Sequence, residues 1–401
     1  DGGQVVPPHD LGIIQEVDAI SSPSQVKLSE NALIKTVNLD EAYLQALSAL
    51  QFFPGEKHSS LKIVYTSLHG TGITLMPAAL EQWGFSIPHL VASQVVPDGN
   101  FPTVHFPNPE YPEALKAGTE ELVRVDGDIL IATDPDADRV GVVVRHQNKP
   151  IALTGNEQAA LAAYFICKTL KEQKRMPSKA ALVTTIVTTE LLKKISAAYD
   201  IACIEVLTGF KYIGEKIHQW EQEKNSYHFL FGAEESYGYL LGTYARDKDA
   251  MVSGCLFAEM AAKMKEQGKT LVDLLHEIYK KFGVFREKQL SLNFEEGKKG
   301  LETIQHLMND LRKNPPIEIA DQKVVDYKDF LGKTDLPKSD VLLFRLEDQS
   351  QIIIRPSGTE PKLKIYAAAR VPEFSSIQQG LDQCNRQLEK VLKAVQQKLR
   401  S

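Results

Sequence analysis

The chain has 401 residues, of which 43% are hydrophobic, 24% charged and 8% aromatic, a composition that excludes disordered and collagen-like proteins. Its 46 Lys and Arg residues and 52 Asp and Glu residues give a net charge of −6, so no basic surplus favours a nucleic-acid partner. No apolar run approaches the roughly 18 residues of a membrane helix, and no leader-like segment opens the chain. We therefore expect a cytoplasmic protein with neither a nucleic-acid nor a membrane partner.

Short β-rich runs alternate with helical patterns along most of the chain. KIVYT at 62–66 predicts a strand, and the loop SLHGTG and the helical stretch TLMPAALEQW follow it. LVTTIV at 182–187 predicts another strand, after which Thr-Thr-Glu can begin the helix LLKKISAAY. This alternation is typical of α/β layers with a largely parallel sheet.

The C-terminal part has a different pattern. VLLFR at 341–345, QIIIR at 351–355 and LKIYAAAR at 363–370 predict three strands of a small separate sheet. Apolar residues then recur at spacings of three and four, which predicts one terminal helix packed on that sheet. The apolar stripe comprises Ile377, Leu381, Cys384, Leu388, Leu392, Val395 and Leu399.

These patterns predict tandem α/β domains with mixed, largely parallel sheets, followed by a smaller C-terminal α+β domain. The predicted boundaries give domains at 39–153, 154–285 and 286–401, the second of which opens with the helical start TGNEQ. The four cysteines form no CxxC pair, so the sequence indicates buried, reduced thiols rather than a zinc site or disulfides. They are Cys167, Cys203, Cys255 and Cys384.

The strongest local signal is the run DILIATDPDADRVGVVV at 128–144, where an apolar strand ends in a loop with Asp134, Asp136 and Asp138. Three crowded carboxylates need a counter-ion, because their mutual repulsion would otherwise raise their pKa values. Oxygen ligands favour Mg²⁺ or a similar ion. An EF-hand calcium loop is excluded, since Arg139 stands where that loop requires glycine.

A second signal is RPSGTEPKLKIY, in which a strand leads Arg355 into a loop with Ser357, Gly358 and Thr359. Arginine can donate two parallel hydrogen bonds to a phosphate, hydroxyl groups add donors, and glycine permits a close backbone approach. The loop therefore favours an anionic phosphate. The alternative is a polar hairpin connection that Pro and Gly merely shape.

The third signal is FGAEESYGYL, which places Glu234, Glu235 and Ser236 after the strand candidate HFLF. Carboxylates at a strand end can select sugar hydroxyls, although an exposed loop would look the same. The segments TGFKYIG and ARDKDA contain two further candidates, Lys211 and Lys248. Each lysine could neutralise a phosphate, transfer a proton if its pKa were lowered, or be solvated surface.

The loop SLHGTG contains two further candidates. His69 could meet an anion at a helix N-terminus, but a structural turn is the favoured interpretation. Ser67 has no GxSxG motif around it, so we do not assign it as a nucleophile.

In this order, TDPDADR, TGFK, GAEESYGY with RDKDA, and RPSGTEPKLKIY resemble the α-D-phosphohexomutase family, close to its phosphoglucomutase and phosphomannomutase branch. The resemblance implies that 39–153 binds metal, 154–285 recognises the sugar and 286–401 binds phosphate. It also implies that 1–38 is the linker and tail of a missing first domain. That domain carries a TASHNP-like loop with the phosphorylated serine, and no such segment occurs in these 401 residues, so the chain alone is predicted to be inactive.

The resemblance further implies a reaction between hexose 1-phosphate and hexose 6-phosphate through a 1,6-bisphosphate, with Mg²⁺ as cofactor and glucose 1,6-bisphosphate as activator. The implied metal ligands are Asp134, Asp136 and Asp138, and the implied catalytic residues are Arg139, Lys211 and Lys248. Gly209, Glu234, Glu235 and Ser236 would bind the sugar, and Arg355, Ser357, Gly358 and Thr359 the phosphate that is not transferred.

Three alternative functions stay open. Pro135 and Ala137 stand where many relatives have glycine, a variant that also resembles the phosphopentomutase-like branch and leaves a pentose phosphate substrate open. A haloacid dehalogenase-type phosphatase would use Asp134 as its nucleophile, but that motif expects Thr or Val at Asp138 and leaves the other loops unexplained. A non-catalytic sugar-phosphate-binding module is the third alternative.

Overall fold

The computed structural model describes residues 2–26, 34–58, 60–357 and 360–400. The chain begins with helix α1 (His9–Asp18), none of whose side chains is buried. Helix α2 (Asp40–Ser48) follows and buries Leu44 and Leu47. Within the described ranges, no helix is long and apolar enough to cross a lipid bilayer.

The first α/β unit follows α2. Its elements are β1 (Ile63–Thr66), α3 (Met76–Gln82), β2 (His89–Leu90), α4 (Pro112–Arg124), β3 (Ile129–Thr133), β4 (Val140–His146) and β5 (Lys149–Leu153). The strand order is β2-β1-β3-β4-β5, with β1 parallel to β2 and β3, and with β4 antiparallel to β3 and β5. All five residues of β3 are buried, because helices cover both faces of this strand.

The second unit contains α5 (Gly155–Glu172), β6 (Ala180–Thr185), α6 (Leu191–Ala198), β7 (Ala202–Val206), α7 (Phe210–Gln222), β8 (His228–Ala233), β9 (Tyr239–Leu241), α8 (Ala250–Glu266) and α9 (Leu271–Phe282). Its strand order is β7-β6-β8-β9, and β6 is parallel to both β7 and β8. Helix α5 begins where TGNEQ predicts it, because Thr154 and Glu157 form a capping box.

The C-terminal unit is an antiparallel sheet covered by the terminal helix. It contains β10 (Val284–Asn293), α10 (Lys298–Lys313), β11 (Glu318–Ile319), β12 (Gln322–Asp329), β13 (Leu342–Leu346), β14 (Gln351–Pro356), β15 (Lys362–Val371) and α11 (Ile377–Arg400). The strand order is β10-β15-β14-β13-β12-β11, and α11 packs on β10 and β15. The predicted terminal helix and its apolar stripe are confirmed, since Cys384, Leu388 and Val395 are buried.

The structure confirms the tandem α/β architecture and corrects two details. The C-terminal sheet has six strands, not three, because β10 and β12 carry many polar side chains that conceal the strand period. The segment FGVFREK at 282–288, where the helical pattern of the sequence ends, contains the start of strand β10. All four thiols are free, and three are buried as expected, but Cys203 is only partly buried, since β7 lies at a sheet edge.

Helix α8 joins the first two units. It contacts β3 and β4 of the first sheet and β9 of the second, and 14 of its 17 residues are buried. A helix that is apolar on all sides belongs in the interior of a protein. The first two units therefore share one core, and the loops at the ends of β3 and β8 keep a fixed relation to each other.

Candidate functional site

The loop between β3 and β4 brings the three aspartates together; we call residues 134–139 the Asp loop. Asp134 is buried, and its Oδ1 accepts hydrogen bonds from the backbone N–H of Asp138 (3.1 Å) and Arg139 (3.0 Å). This carboxylate therefore holds the turn closed. One carboxylate oxygen from each of Asp134, Asp136 and Asp138 lies within 4.8 Å of the other two.

The electrostatics of the Asp loop fit a divalent cation. Asp138 Oδ1 is buried and has no hydrogen-bond partner among the described residues, a costly arrangement for an anionic oxygen. Burial, followed by the charges of Asp138 and Asp136, raises the pKa of Asp134 to about 7. A hard cation such as Mg²⁺ would satisfy the free oxygen and remove the repulsion. Asp134, Asp136 and Asp138 are therefore the residues that would hold it.

A second group of potential ligands, Glu56, His58 and Glu266, lies near the end of α8. Here the ammonium group of Lys263 already contacts Glu56 and lies 3.1 Å from Glu266 Oε2. Both carboxylates of this group are exposed and share one lysine, whereas the Asp loop has three carboxylates and a buried oxygen without a hydrogen-bond partner among the described residues. We therefore do not assign a metal site to this group.

Arg139, the last residue of the Asp loop, lies beside the segment 234–238, which we call the sugar loop after its predicted role. Its Nε is 3.6 Å from Asp138 Oδ1 and 3.8 Å from Asp134 Oδ2. Its backbone forms an antiparallel bridge with Gly238, and the N–H of Val140 donates to Tyr237 O at 3.0 Å. The two loops, which lie about a hundred residues apart in sequence, are thus joined directly.

The sugar loop follows β8, as expected for a loop at the end of a predicted strand. Glu234 is buried, which raises its pKa, and its Oε1 accepts the backbone N–H of Gly209 at 2.9 Å. Burial and then the charge of Glu234 raise the pKa of Glu235 to about 7, and Thr188 donates to Glu235 Oε2 at 3.3 Å. Ser236 is half-buried. The loop thus presents acceptors beside the start of α7.

The two candidate lysines have different environments. Lys248 Nζ lies 2.8 Å from Asp138 Oδ2, and the side chain passes over Gly238, where an added Cβ would lie 2.3 Å from Lys248 Cδ. Burial acts to lower the pKa of Lys248, but the contacts with Asp138 and then Asp247 outweigh it, so the pKa is raised. Lys248 is therefore charged, contrary to the lowered pKa that a proton acceptor would need. Lys211 instead pairs with Asp10 of α1 at 3.1 Å.

Residues 355–359 are predicted to bind phosphate and are called the phosphate loop here; Arg355 lies at the end of β14. A guanidinium nitrogen of Arg355, Nη1, contacts Thr208 Oγ1, and its Nε is buried with no partner among the described residues. The N–H of Ser357 donates to Lys362 O at 2.7 Å. Gly358 and Thr359 lie outside the described residues.

A cavity of about 550 Å³ lies where the three units meet. Glu110 of the first unit, Glu235 of the second and Tyr366 of the third line it. Sequence reasoning missed Glu110, which lines this cavity, and gave no role to Thr208, the first residue of the quoted motif TGFK. Asp136, Asp138 and Lys248 line a separate, smaller cavity of about 300 Å³.

The remaining sequence candidates, His69 and Ser67, have hydrogen-bond partners within the first unit. Both ring nitrogens of His69 have partners, Val96 O at 3.1 Å and Thr103 Oγ1 at 2.9 Å, so the turn interpretation is supported. Ser67 is fully buried and its hydroxyl donates to Gln94 O at 3.2 Å. Ser67 lines neither of the two cavities described above, so it is still not assigned as a nucleophile.

Comparisons with known proteins define the family. Residues 41–148 match "Phosphoglucomutase/phosphomannomutase, alpha/beta/alpha domain II", and residues 154–282 match domain III of the same family. The chain is 36% identical over 373 residues to a "Probable phosphomannomutase" of Haemophilus influenzae, covering 92% of this chain and 72% of that protein. It is 35% identical over 399 residues to a phosphoglucomutase of Staphylococcus haemolyticus, covering 95% of this chain and 71% of that protein.

A solved structure supports the same fold. A phosphoglucomutase/phosphomannomutase family protein of Burkholderia thailandensis aligns with a TM-score of 0.65 at 18% identity, over 97% of this chain and 71% of that one. The chain belongs to the phosphoglucomutase/phosphomannomutase family, as its motifs predicted.

Proposed function

We propose that this chain forms the metal-binding, sugar-binding and phosphate-binding parts of a cytoplasmic phosphohexomutase, which interconverts hexose 1-phosphate and hexose 6-phosphate. In the proposed reaction, a phosphoserine gives its phosphoryl group to the free hydroxyl of the substrate. The resulting 1,6-bisphosphate reorients and returns its other phosphate to the serine. The observation that carries the proposal is the direct connection between the Asp loop and the sugar loop through Arg139 and Gly238.

The proposed roles follow the chemistry of each loop. Asp134, Asp136 and Asp138 would hold Mg²⁺, which supplies charge neutralisation for a phosphoryl group in transfer. Arg139, whose guanidinium adjoins two of these carboxylates, is proposed to stabilise the same group. A charged arginine in a partly buried site stabilises developing negative charge more strongly than it would in water.

Lys248 is proposed to serve as a charged donor beside the transferred phosphate, because its contact with Asp138 keeps it protonated. Lys211, which is partnered by Asp10, is the second candidate for proton transfer. Glucose 1,6-bisphosphate is the proposed activator, since it can phosphorylate the serine.

The non-reacting end of the substrate is assigned to the second and third units. Gly209, Glu234, Glu235 and Ser236 are proposed to hold sugar hydroxyls, and Arg355, Ser357, Gly358 and Thr359 the distant phosphate. Binding energy from that distant phosphate would orient the reacting hydroxyl. Arg355→Ala should therefore chiefly weaken sugar-phosphate binding.

We further propose that residues 1–38 are the linker and tail of a first domain that carries the serine, and that these 401 residues alone do not turn over substrate. The exposed apolar side chains of α1 support the first point, since Leu11, Ile14 and Val17 are each more than half exposed. Large apolar residues on one short helix usually pack against another element.

The first test is metal binding, measured by calorimetric titration with MnCl₂ and MgCl₂. Asp136→Ala should abolish binding by removing one of three ligands, whereas Asp335→Ala, at an exposed carboxylate of the third unit, should leave it unchanged. Normal metal affinity in Asp136→Ala would contradict the assignment.

The second test is a coupled assay for conversion of glucose 1-phosphate to glucose 6-phosphate with Mg²⁺ and bisphosphate activator. The 401-residue chain is assayed alone and joined to a segment that supplies the serine domain. Activity only in the joined protein supports the proposal, and turnover by the short chain would contradict it. If neither form turns over but sugar phosphate still binds, a pentose phosphate substrate or a binding module becomes the better explanation.

A further inference from the structure

Arg355 makes a contact between units that the sequence does not suggest. It lies at the end of β14 in the third unit, whereas Thr208 lies in the second unit between β7 and α7. The guanidinium Nη1 donates to Thr208 Oγ1. The next residue, Gly209, donates its N–H to Glu234 of the sugar loop. Two consecutive residues therefore link the phosphate-loop arginine to the sugar loop.

The contact with Thr208 uses only one side of the guanidinium group. An arginine binds a phosphate most strongly through two parallel N–H groups, and the Nε and Nη2 atoms form one such pair. Thr208 occupies Nη1, on the other side of the group. Arg355 Nε is buried and has no partner among the described residues, and a buried donor without a partner is costly. An anionic oxygen would satisfy it.

We infer that Thr208 is a positioning residue for phosphate binding: its hydroxyl fixes Arg355 across the boundary between the units, so that the Nε edge faces the substrate phosphate. The inference rests on the proposed function and names a residue beyond the four assigned to the phosphate loop. Because Thr208 orients the arginine before the ligand arrives, less conformational entropy is lost on binding.

The test measures the binding of glucose 1-phosphate and of inorganic phosphate by calorimetry, which needs no turnover. Thr208→Val has nearly the same shape as threonine but no hydrogen-bonding oxygen, and it should weaken both ligands by about 3- to 10-fold, the effect of one hydrogen bond. Thr208→Ser keeps the oxygen and should retain the affinity. Thr303→Val, on the exposed face of α10, is the matched control and should bind normally.

Two further readouts separate positioning from a general structural effect. The affinity for Mn²⁺ at the Asp loop should not change in Thr208→Val, because that loop lies in another unit. Arg355→Ala should lose more affinity than Thr208→Val, and Thr208→Val should cause little further loss when Arg355 is already alanine, since the threonine acts through the arginine.

The outcomes are distinguishable. Unchanged binding in Thr208→Val, beside weakened binding in Arg355→Ala, would overturn the inference and leave the proposed function standing. If Thr208→Val does not fold, reduced affinity in Thr208→Ser would overturn the inference, and normal affinity there with a loss in Thr208→Ala, which removes the oxygen with a smaller side chain, would support it. Failure of the unmodified chain to bind either ligand would overturn both proposals.

Discussion

Substitution of Gly70 by alanine should displace the Asp loop. The segment at Gly70 packs directly on Pro135, where a Cβ would lie 2.1 Å from Pro135 Cα and 2.4 Å from its carbonyl oxygen. The same carbonyl accepts the N–H of Thr71 at 2.8 Å and its hydroxyl at 3.0 Å. Gly70 has φ −103°, which any residue adopts, so the effect of Gly70→Ala is steric.

The size of the effect follows from this geometry. Carbon atoms in contact keep a separation of about 3.5 Å, so the two segments must separate by more than about 1 Å. Overpacking of this kind costs about 1 to 3 kcal/mol, and weakening the two hydrogen bonds adds about 1 kcal/mol. We expect Gly70→Ala to lower the free energy of unfolding by about 2 to 4 kcal/mol. Movement of Asp136 and Asp138 should also weaken Mn²⁺ binding by about tenfold or more.

Urea unfolding measures the first quantity and calorimetric titration with MnCl₂ the second. Gly99→Ala is the matched control, because an added Cβ at that glycine meets no atom within 4 Å. If Gly70→Ala unfolds within about 0.5 kcal/mol of the unmodified chain and binds Mn²⁺ with equal affinity, the close approach of the two segments is refuted.

Three further predictions concern stability. Ala137→Gly should leave the free energy of unfolding within about 1 kcal/mol, because relief of the left-handed backbone at φ 59° offsets the greater chain entropy of glycine. Buried Glu259 has a pKa of about 7 in the folded state against 4.5 for the free group, so its contribution to stability is complete below pH 4.5 and is lost as the pH rises through 7. In the unmodified chain, this titration should change the free energy of unfolding by about 3 kcal/mol between pH 4.5 and pH 7, and Glu259→Gln should abolish that change. Leu388→Ala, in the buried stripe of α11, should cost about 2 to 5 kcal/mol.

Matched variants make these three predictions specific. Ala197→Gly lies in the regular helix α6 and should lose about 1 kcal/mol, so an equal loss in Ala137→Gly would contradict the strain argument. Parallel stability curves for the unmodified chain and Glu259→Gln between pH 4.5 and 7 would show that Glu259 titrates normally. Leu301 is 52% exposed on α10, and a cost for Leu388→Ala as small as that for Leu301→Ala would disprove the packing of α11.

Local patterns were sufficient to predict much of the fold. The apolar run before Asp134 predicted the buried strand β3, because a strand covered on both faces needs apolar residues at every position. The cap at Thr154 marked the start of α5, since the capping hydrogen bonds form between residues three apart. The polar edge strand β10 was missed, because its outward side chains face water and carry no clear period.

The candidate site likewise contains some groups that a single loop brings together and others that only the tertiary structure brings together. Asp134, Asp136 and Asp138 could be grouped from the sequence, because one loop holds all three. Lys248 and Asp138, which are in contact, are 110 residues apart in the sequence. Arg355 and Thr208, also in contact, are 147 residues apart. Such pairs have no local signature, because the packing of α8 and the approach of β14 to the second unit bring them together. The sequence thus determined which chemical groups each loop carries, and only the tertiary structure decided which of these groups meet.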